Sequence, residues 1–428
     1  MELQKLWPVL GFVFIVLALD FYFYQALKVI FHESNPVRKW VFTLFWGYTL
    51  YSLLIFFYFR INGQVHLPKL FVLFSFSTFF IVYFSKLIVC IFLLLEDTGR
   101  ISVLAFNGLK KLWDPLQVPF SPSRSAALSK IAFGFAAIPF FSLLYGMARG
   151  AYNYRVRRSH LVFNNLPSEF EGLKIAQISD IHAGSLYNKA EVERGVKMLM
   201  DLNPDIIFVT GDLVNNESEE FAGFIDIFSR LKAPLGVYSI LGNHDYGDYQ
   251  YWPSEQAKRK NFEQLLAYQK DMGWKLLMDE HVKLGKENEE IAIIGIQNWS
   301  ARARFPKYGN LKKAYRGAEG TKVKLLLSHD PSHWEAEVIR KYPDIDMMFA
   351  GHTHGMQFGV EIPGFKWSPV QYVYRQWAGL YDSGGQRLYV NRGFGFIGYP
   401  GRVGIWPEIS LFTLSSGKGQ SAENDENA

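Results

Sequence analysis

Four long apolar segments dominate the first 150 residues and constrain the fold more than any other feature of the sequence. They cover about residues 6–27, 40–59, 70–95 and 131–147. A helix needs about 20 mostly apolar residues to cross a bilayer, and the run LLIFFYF at residues 53–59 is apolar on every face. Trp and Tyr near the ends of these segments are typical of interfacial anchors. We therefore predict a multi-pass α-helical membrane domain with four spans over residues 1–150.

Two charged residues, Asp20 and Lys86, lie inside the first and third predicted spans. Charges within hydrocarbon are expensive and are usually paired. Both spans enter the membrane from the same face, which places Asp20 about 21 Å deep and Lys86 about 24 Å deep at the helical rise. We interpret the two residues as an ion pair across the bundle. Separate snorkelling of each side chain to the far interface is the alternative.

Charge is unevenly distributed between the two halves of the chain. Residues 1–158 contain 16 Lys and Arg against 6 Asp and Glu, which leaves 29 basic and 34 acidic residues in the remainder. The basic excess lies in the membrane half, as expected near anionic headgroups. Because the other half is mildly acidic, no nucleic-acid partner is expected. The only cysteine, Cys90, excludes a disulfide framework within the chain and leaves the redox compartment open.

Beyond about residue 153 the pattern changes to short apolar runs that alternate with helical stretches. The predicted buried strands are residues 174–179, 206–210, 237–241, 291–296, 323–328 and 347–350, and the predicted helices are 189–201, 221–231, 259–272 and 333–341. This alternation favours an α/β domain whose sheets are covered by helices. We assign residues 151–172 to a linker and domain entry, 173–414 to the α/β domain, and the polar residues 415–428 to a disordered tail.

Five of the predicted strands run directly into side chains that can bind metal ions. The motifs are Asp180-Ile181-His182, Gly211-Asp212, Gly242-Asn243-His244-Asp245, His329-Asp330 and Gly351-His352-Thr353-His354. Each motif alone is more often a cap, a turn or a surface pair. Together they are a strong signal, because α/β folds assemble their sites at the carboxyl ends of strands.

The order of these motifs resembles the calcineurin-like metallophosphoesterase superfamily, and the likeness extends over about residues 174–414. The resemblance implies a four-layer αββα sandwich with a dinuclear metal centre. It assigns the first metal to Asp180, His182, Asp212 and His354, and the second to the bridging Asp212 with Asn243, His329 and His352. It also identifies His244 as the catalytic histidine.

The donor types agree with this chemistry. Carboxylate, amide and imidazole ligands without thiolate suit Mn²⁺, which we favour, or Fe or Zn²⁺. Two such ions about 3.5–4 Å apart can activate a hydroxide and clamp the phosphoryl oxygens of an in-line displacement. His244 can stabilise the transition state or protonate the leaving oxygen. Arg392 is a candidate substrate-binding residue that contacts a phosphate, and an ordinary loop arginine is the alternative.

Two residues depart from related patterns. Asp245 follows His244 where the protein phosphatases of this superfamily carry Glu, so a protein phosphatase is not expected. Many relatives have Asp at the position of Asn215 and use it to orient the catalytic histidine; Asn can hydrogen-bond but cannot stabilise an imidazolium by charge. The sequence also resembles a membrane-attached bacterial subgroup of the YkuE and YaeI type, with a likeness that extends to residues 389–395 and 407–409.

The resemblance to exported members of this subgroup favours an integral protein of the bacterial cytoplasmic membrane with an extracytoplasmic catalytic domain. Its support is Arg124, a single arginine before the fourth span where some members have a twin-arginine signal. The positive-inside rule does not choose a side, because seven basic residues flank the spans on the domain side and eight on the other.

The expected function is metal-dependent hydrolysis of a phosphodiester or pyrophosphate bond, in a lipid or nucleotide-sugar lipid substrate. One alternative is cleavage of the UDP-acylglucosamine pyrophosphate of lipid A synthesis, and another is a non-catalytic membrane sensor or scaffold that binds metal or a phosphorylated ligand. A transporter is less favoured, since only two residues offer intramembrane chemistry. Residues 246–252, 367–381 and 394–406 are rich in aromatic residues, and they form either a lipid-facing rim or packing within the domain.

Overall fold

The computed structural model describes residues 3–62, 67–111, 125–286 and 288–417. These residues fall into two compact units, which divide between Tyr145 and Gly146. Two features of the sequence analysis lie outside the described residues: Arg124 before the fourth span, and the predicted tail from residue 418 onward.

The first unit contains four helices that are long and apolar enough to cross a membrane. They are α1 (Leu3–Ile30), α2 (Arg38–Asn62), α3 (Lys69–Lys111) and α4 (Ala126–Ala148). The four predicted spans are confirmed. Helix α3 has 43 residues and continues past its predicted end at residue 95. The charged residues Glu96 and Asp97 mark the end of the apolar run, but no proline follows them within α3 to stop the helix.

Asp20 and Lys86 form a buried ion pair between α1 and α3, which confirms the predicted pairing. Lys86 Nζ lies 2.6 Å from Asp20 Oδ1. Thr49 and Tyr83 donate hydrogen bonds of 2.6 and 3.0 Å to Asp20 Oδ2. The Lys86 ammonium also lies 4.3 Å from the centre of the Tyr83 ring. Three donors therefore compensate the intramembrane carboxylate, as a charge in a low-dielectric environment requires.

The second unit consists of two six-stranded sheets, a two-stranded hairpin and short helices. The strands are β1 (Arg155–Val162), β2 (Lys174–Ile178), β3 (Ile206–Thr210), β4 (Val237–Ile240), β5 (Lys275–Leu276), β6 (Glu280–Leu284), β7 (Ile291–Gly295), β8 (Val323–Leu327), β9 (Met347–Ala350), β10 (Val360–Ile362), β11 (Phe365–Trp367), β12 (Gly379–Ser383), β13 (Gln386–Val390) and β14 (Glu408–Ser415). The α-helices are α5 (Lys189–Met200), α6 (Glu219–Ala222), α7 (Ile225–Phe228), α8 (Glu255–Asp271), α9 (Leu311–Tyr315) and α10 (Ile339–Lys341).

The two sheets pack face to face with helices on both outer sides. Their strand orders are β1-β14-β2-β3-β4-β5 and β12-β13-β9-β8-β7-β6, while β10 and β11 pair separately. Phe208, Phe349 and Phe412 belong to the core between the sheets. Two further cores, which include Phe228 and Trp334 respectively, lie on the outer faces beneath the helices. This arrangement confirms the predicted αββα sandwich.

Parallel pairing of the central strands brings the motifs to one edge of each sheet. β2, β3 and β4 run parallel in the first sheet, and β7, β8 and β9 run parallel in the second. All six predicted strands are present, four of them one residue shorter than predicted. The predicted helix at 221–231 is instead two short helices, α6 and α7, interrupted at Gly223, a poor helix former. Residues 333–341 form a π-helical turn, Trp334–Val338, followed by α10.

The sequence analysis missed strands at the sheet edges and near the carboxyl terminus. Residues 155–162, which we placed in a linker, form β1 and pair in parallel with β14. β1 has the sequence RVRRSHLV, and its three arginines are typical of an edge strand that is protected from further pairing. Its lack of a continuous apolar run hid it from the sequence analysis.

The buried pair in the membrane unit predicts strong coupling between its two members. Asp20→Asn and Lys86→Met should each lower the free energy of unfolding by about 3 kcal/mol, because either change leaves a buried charge without its partner. The loss of unfolding free energy in the double variant should be smaller than the sum of the two single losses, and the difference should be at least about 1 kcal/mol. Unfolding in detergent micelles measures both quantities, with the exposed Lys39→Met as control. Additive effects of the two changes would contradict the pairing.

Candidate metal centre

The predicted ligands lie on five loops that follow central strands. Asp180 and His182 follow β2, Asp212 follows β3, and Asn243 and His244 follow β4 in the first sheet; His329 follows β8, and His352 and His354 follow β9 in the second. Packing of the two sheets brings these loops together, so residues far apart in the chain share one site.

The backbone of these loops is unusual. Asp180, His182, Asp212, His352 and His354 all have positive φ, between 47° and 72°. Such conformations are uncommon for residues with a side chain, and they cluster at functional sites where the surroundings hold them. Here the loops hold one another through hydrogen bonds, for example from Asp180 N to Gly211 O at 2.9 Å.

Two motif glycines permit the close approach of these loops. A Cβ atom on Gly242 would lie 2.2 Å from Asp212 Oδ1, and one on Gly351 would lie 2.0 Å from Ser179 Oγ. Any larger residue at either position would displace the neighbouring loop. The glycines of the Gly-Asn-His-Asp and Gly-His-x-His motifs are therefore required by space rather than by turn geometry.

One group of potential ligands consists of Asp180, His182 and His354, whose donor atoms all lie within 4.8 Å of one another. His354 Nε2 is 3.3 Å from Asp180 Oδ1. The Nε2 atoms of His182 and His354 are buried and have no hydrogen-bond partner among the described residues. Buried polar atoms are almost always satisfied, so these two nitrogens indicate a bound cation.

Asp212, His329 and His352 form a second such group. His329 Nε2 lies 3.1 Å from Asp212 Oδ2 and 3.3 Å from His352 Nδ1. Asp212 Oδ2 is also 3.6 Å from His182 Nε2 of the first group, so this carboxylate lies between the two groups. Asn243 Oδ1 is a further buried oxygen without a partner among the described residues. The structure thus brings together six of the seven predicted ligands in two groups, and the seventh, Asn243, directly precedes His244, whose backbone nitrogen donates to Asp212 Oδ1 at 2.9 Å.

Hydrogen bonds to neighbouring groups orient the imidazoles. His329 Nδ1 is 2.7 Å from the carbonyl oxygen of Thr210, and His182 Nδ1 is 3.0 Å from Asn215 Oδ1. Because these oxygens only accept, each Nδ1 carries a proton and each Nε2 faces the site.

His352 is oriented the other way. Its Nε2 is 2.9 Å from the Tyr374 hydroxyl, which donates to Asp330 Oδ2 at 3.2 Å. Its Nδ1 therefore faces the second group. The sequence analysis missed the role of Tyr374, which lies in a loop without a recognisable motif. Asp330 stood within a quoted motif, but its neighbour His329 was the residue singled out.

His244 lies at the mouth of the site and is partly exposed. Its Nδ1 is 2.7 Å from the backbone carbonyl oxygen of Asn215, and its ring centre is 5.0 Å from that of His182. The side chain of Asn215 was expected to orient His244, as Asp does in many relatives. Instead its backbone orients His244, while its side chain orients His182.

Two further residues, Asp245 and Arg402, support the ligand loops, although the sequence assigned neither of them a role in the site. The buried Asp245 carboxylate accepts hydrogen bonds from the backbone nitrogens of Asp212, Leu213 and Gly242, at 2.7–2.9 Å. The buried Arg402 guanidinium donates to the Gly395 carbonyl oxygen, and its Nη2 lies 3.2 Å from His354 Nδ1. A single arginine in a glycine-rich loop carries no spacing signal, which is why sequence analysis missed it.

Arg392 does not face the site. Its buried guanidinium forms hydrogen bonds of 2.7 and 3.1 Å with Glu361 and one of 2.6 Å with Glu408. Burial opposes its protonated form, but these carboxylates raise the pKa of Arg392 above its ordinary range. All three guanidinium nitrogens donate to these carboxylates, so the structure gives no support to the predicted substrate-binding role.

The electrostatics of the site suit cation binding. Burial lowers the pKa of His182 to about 3 and that of His352 to about 4, so both imidazoles are neutral ligands at physiological pH. Burial also opposes charge on His329, but Asp212 and Asp180 raise its pKa to about 10. The protonated His329 therefore compensates the carboxylates when no metal is bound. These nitrogen and oxygen donors fit divalent cations of borderline hardness.

Comparison with known proteins agrees with the geometry. A family described as "Probable Calcineurin-like phosphoesterase, transmembrane domain" matches residues 5–151, and "Calcineurin-like phosphoesterase" matches residues 173–356. The zebrafish "Transmembrane protein with metallophosphoesterase domain" is 30% identical over 63% of this chain and 60% of its own length.

Two bacterial relatives match over most of their own length. The "Uncharacterized metallophosphoesterase YkuE" of Bacillus subtilis is 28% identical over 64% of this chain and 90% of its own length. The "Phosphodiesterase YaeI" of Escherichia coli is 27% identical over 56% of this chain and 82% of its own length.

The two family matches follow one another along the chain in the order of the two structural units. The first covers the four membrane-spanning helices, and the second covers the strands that carry all seven ligands. Likeness to the YkuE and YaeI type, inferred from motifs, is confirmed. The chain is an integral membrane protein that belongs to the calcineurin-like phosphoesterases with an N-terminal four-helix transmembrane domain.

Proposed function

We propose that this chain is a metal-dependent phosphohydrolase that cleaves a phosphodiester or pyrophosphate bond at a centre of two divalent cations. The observation that carries the proposal is the position of Asp212, whose Oδ2 lies 3.6 Å from His182 of one ligand group and 3.1 Å from His329 of the other. In two-metal sites the cations lie about 3.5–4 Å apart. A carboxylate between two groups of ligands, as here, is the arrangement that such a pair of cations requires.

The residues of this chain divide between two cation positions. Asp180, His182, Asp212 and His354 would hold one ion, and Asp212, Asn243, His329 and His352 the other. When bound, the ions supply Lewis acidity toward phosphoryl oxygens and a nucleophile derived from water. We take Mn²⁺ as the native metal, because the donors are carboxylate, amide and imidazole without thiolate.

His244 is the residue that we assign to proton transfer. The Asn215 carbonyl oxygen, 2.7 Å from Nδ1, holds the proton on that nitrogen in the neutral ring. The ring is thereby oriented with Nε2 available to the substrate, where a protonated His244 donates to the leaving oxygen. Its partial exposure beside buried ligands agrees with a group that meets substrate from solvent.

The substrate class that we propose is a diester or pyrophosphate diester, with the phosphorylated group linked to a lipid. The relative YaeI is named a phosphodiesterase, and the described residues of this chain include four helices that are long and apolar enough to cross a bilayer. We further propose a bacterial cytoplasmic membrane with an extracytoplasmic catalytic unit. A reporter enzyme that is active only outside the cytoplasm, fused after Leu414, tests the orientation.

Turnover measurements on purified protein test the proposed reaction. With Mn²⁺, the protein should hydrolyse bis-p-nitrophenyl phosphate faster than p-nitrophenyl phosphate. Asp212→Asn should abolish the activity, because it weakens both cation positions, whereas His244→Ala should lower kcat about 10²–10³-fold and leave the metal content unchanged. Metal analysis of each variant separates the two effects. Absence of turnover with any divalent metal would instead favour a non-catalytic sensor.

The contacts of Asn215 predict a defect in metal binding. Asn215→Ala removes the hydrogen bond that orients His182 but keeps the backbone carbonyl that orients His244. We expect a 10–100-fold loss of Mn²⁺ affinity, the usual effect of removing a partner of a metal-binding histidine, and recovery of activity at high Mn²⁺ concentration. Asn216→Ala is the matched control. A loss of kcat that Mn²⁺ does not restore would show that the side chain acts on His244.

Protonation of His329 predicts that metal binding releases protons. Its pKa is raised to about 10, so the metal-free protein carries this proton at pH 7.5, and coordination must displace it. We expect release of about one proton per chain from this residue and a Mn²⁺ affinity that rises up to about tenfold per pH unit between pH 6.5 and 8.5. Calorimetry in buffers of different ionisation enthalpy measures both. An affinity independent of pH would contradict the protonated state of His329.

A further inference from the structure

Exposed large apolar side chains are concentrated beside the metal centre. Among the described residues of the second unit, eleven such side chains are exposed, and six of them lie within residues 356–373, which we call the apolar edge. They are Met356, Val360, Ile362, Phe365, Tyr372 and Val373. Ile362 and Phe365 pair across the β10–β11 hairpin and are 59% and 54% exposed. A soluble protein rarely exposes such a patch unless it binds another surface.

The position of the other exposed residues strengthens this pattern. Tyr249 and Tyr251 lie in the loop after β4, close to His244. Leu235, 39% exposed, precedes β4 and so lies at the opposite edge of the first sheet. Apart from Leu235, and from Leu380 on β12, these exposed apolar side chains therefore belong to loops and to the β10–β11 hairpin, which follow the carboxyl ends of the central strands, where the ligands are.

Hydrogen bonds attach the apolar edge to the metal centre. The Ser368 hydroxyl donates to the Gly355 carbonyl oxygen at 2.8 Å, next to His354 in the chain. The Thr353 hydroxyl donates to the Trp377 carbonyl oxygen at 2.6 Å, and Tyr374 contacts His352. The inner side of this segment thus positions the ligands while its outer side is apolar and exposed. The edge is consequently a fixed part of the site's surroundings.

The chain itself identifies what covers this surface. The last membrane-spanning helix ends at Ala148 and the first strand of the second unit begins at Arg155. The six residues between them reach at most about 21 Å when extended, so the chain tethers the first strand of the second unit within that distance of the end of a helix that can span a membrane. Exposed Arg302, Arg304 and Arg375 lie near the edge, and the Arg302 guanidinium rests on the Tyr374 ring at 4.9 Å. Apolar side chains flanked by arginines suit an interface of acyl chains and anionic headgroups.

We propose that the apolar edge inserts into the membrane surface and presents the mouth of the metal centre to lipid headgroups. The aromatic-rich segments then have different roles: some pack within the domain and others face lipid. Phe394 and Phe396 of residues 394–406 are buried in the domain core, whereas residues 367–373 belong to the lipid-facing edge. The consequence that phosphodiesters of membrane lipids reach the site directly from the bilayer rests on the proposed function; the docking itself does not.

Fluorescent labelling of the full chain in phospholipid nanodiscs tests the docking. Cys90 is the only cysteine, so a Cys90→Ala background allows a single environment-sensitive dye at Ile362→Cys or, as the matched control, at Leu235→Cys. The dye at 362 should be blue-shifted and quenched at least threefold more by lipids with spin-labelled acyl chains than the dye at 235. The quenching of the dye at 362 should fall when anionic lipid is replaced by zwitterionic lipid, because anionic headgroups attract the arginines beside the edge.

The outcomes separate docking from catalysis. Equal quenching at both positions, or none at 362, would overturn the proposal. I362D/F365D should retain turnover of bis-p-nitrophenyl phosphate within about twofold, because neither residue contacts a metal ligand. The same variant should lose the quenching of a dye at Tyr372→Cys. Unchanged quenching of that dye would also overturn the proposal. If the wild type does not hydrolyse this soluble diester, the proposed function fails while the quenching result still decides the docking.

Discussion

The structure of the second unit depends on the close approach of five loops that carry buried carboxylates and imidazoles. Asp180 and Asp212 are fully enclosed, and carboxylates in such surroundings require compensating positive charge. In the metal-free site part of that charge comes from His329, whose pKa Asp212 and Asp180 raise. Buried nitrogens on His182 and His354 remain without partners. The packing that excludes water from the site therefore also leaves negative charge and nitrogen donors that bound cations can satisfy.

Much of this arrangement was predictable from the sequence, because its signals were local. Strands such as β3 and β8 are mostly apolar and are each followed two residues later by a ligand, and the membrane spans are longer and more apolar than a soluble helix requires. The Asp20–Lys86 pair followed from depth alone, since two helices that enter from one face carry charges at similar heights. In each case a short segment of sequence is enough to predict the structure that this segment forms.

The rest depended on contacts between distant segments, which no local pattern records. Arg392 looked suitable for binding phosphate, but Glu361 and Glu408, which are 31 and 16 residues away in the chain, occupy it. Tyr374 and Arg402 orient ligands from loops that have no motif spacing. Asn215 was correctly recognised as a neighbour of His244, yet only the fold shows that its backbone and its side chain orient different residues.

The two units place opposite demands on apolar surface. Helices α1 to α4 expose apolar side chains because lipid surrounds them, while the second unit buries nearly all of its own outside residues 356–373 and a few loop positions. Anomalous scattering from crystals grown with Mn²⁺ tests the central claim most directly. Two peaks about 3.5–4 Å apart, on either side of the Asp212 carboxylate, are the predicted result. A single peak, or a pair that does not include Asp212 as a shared ligand, would contradict it.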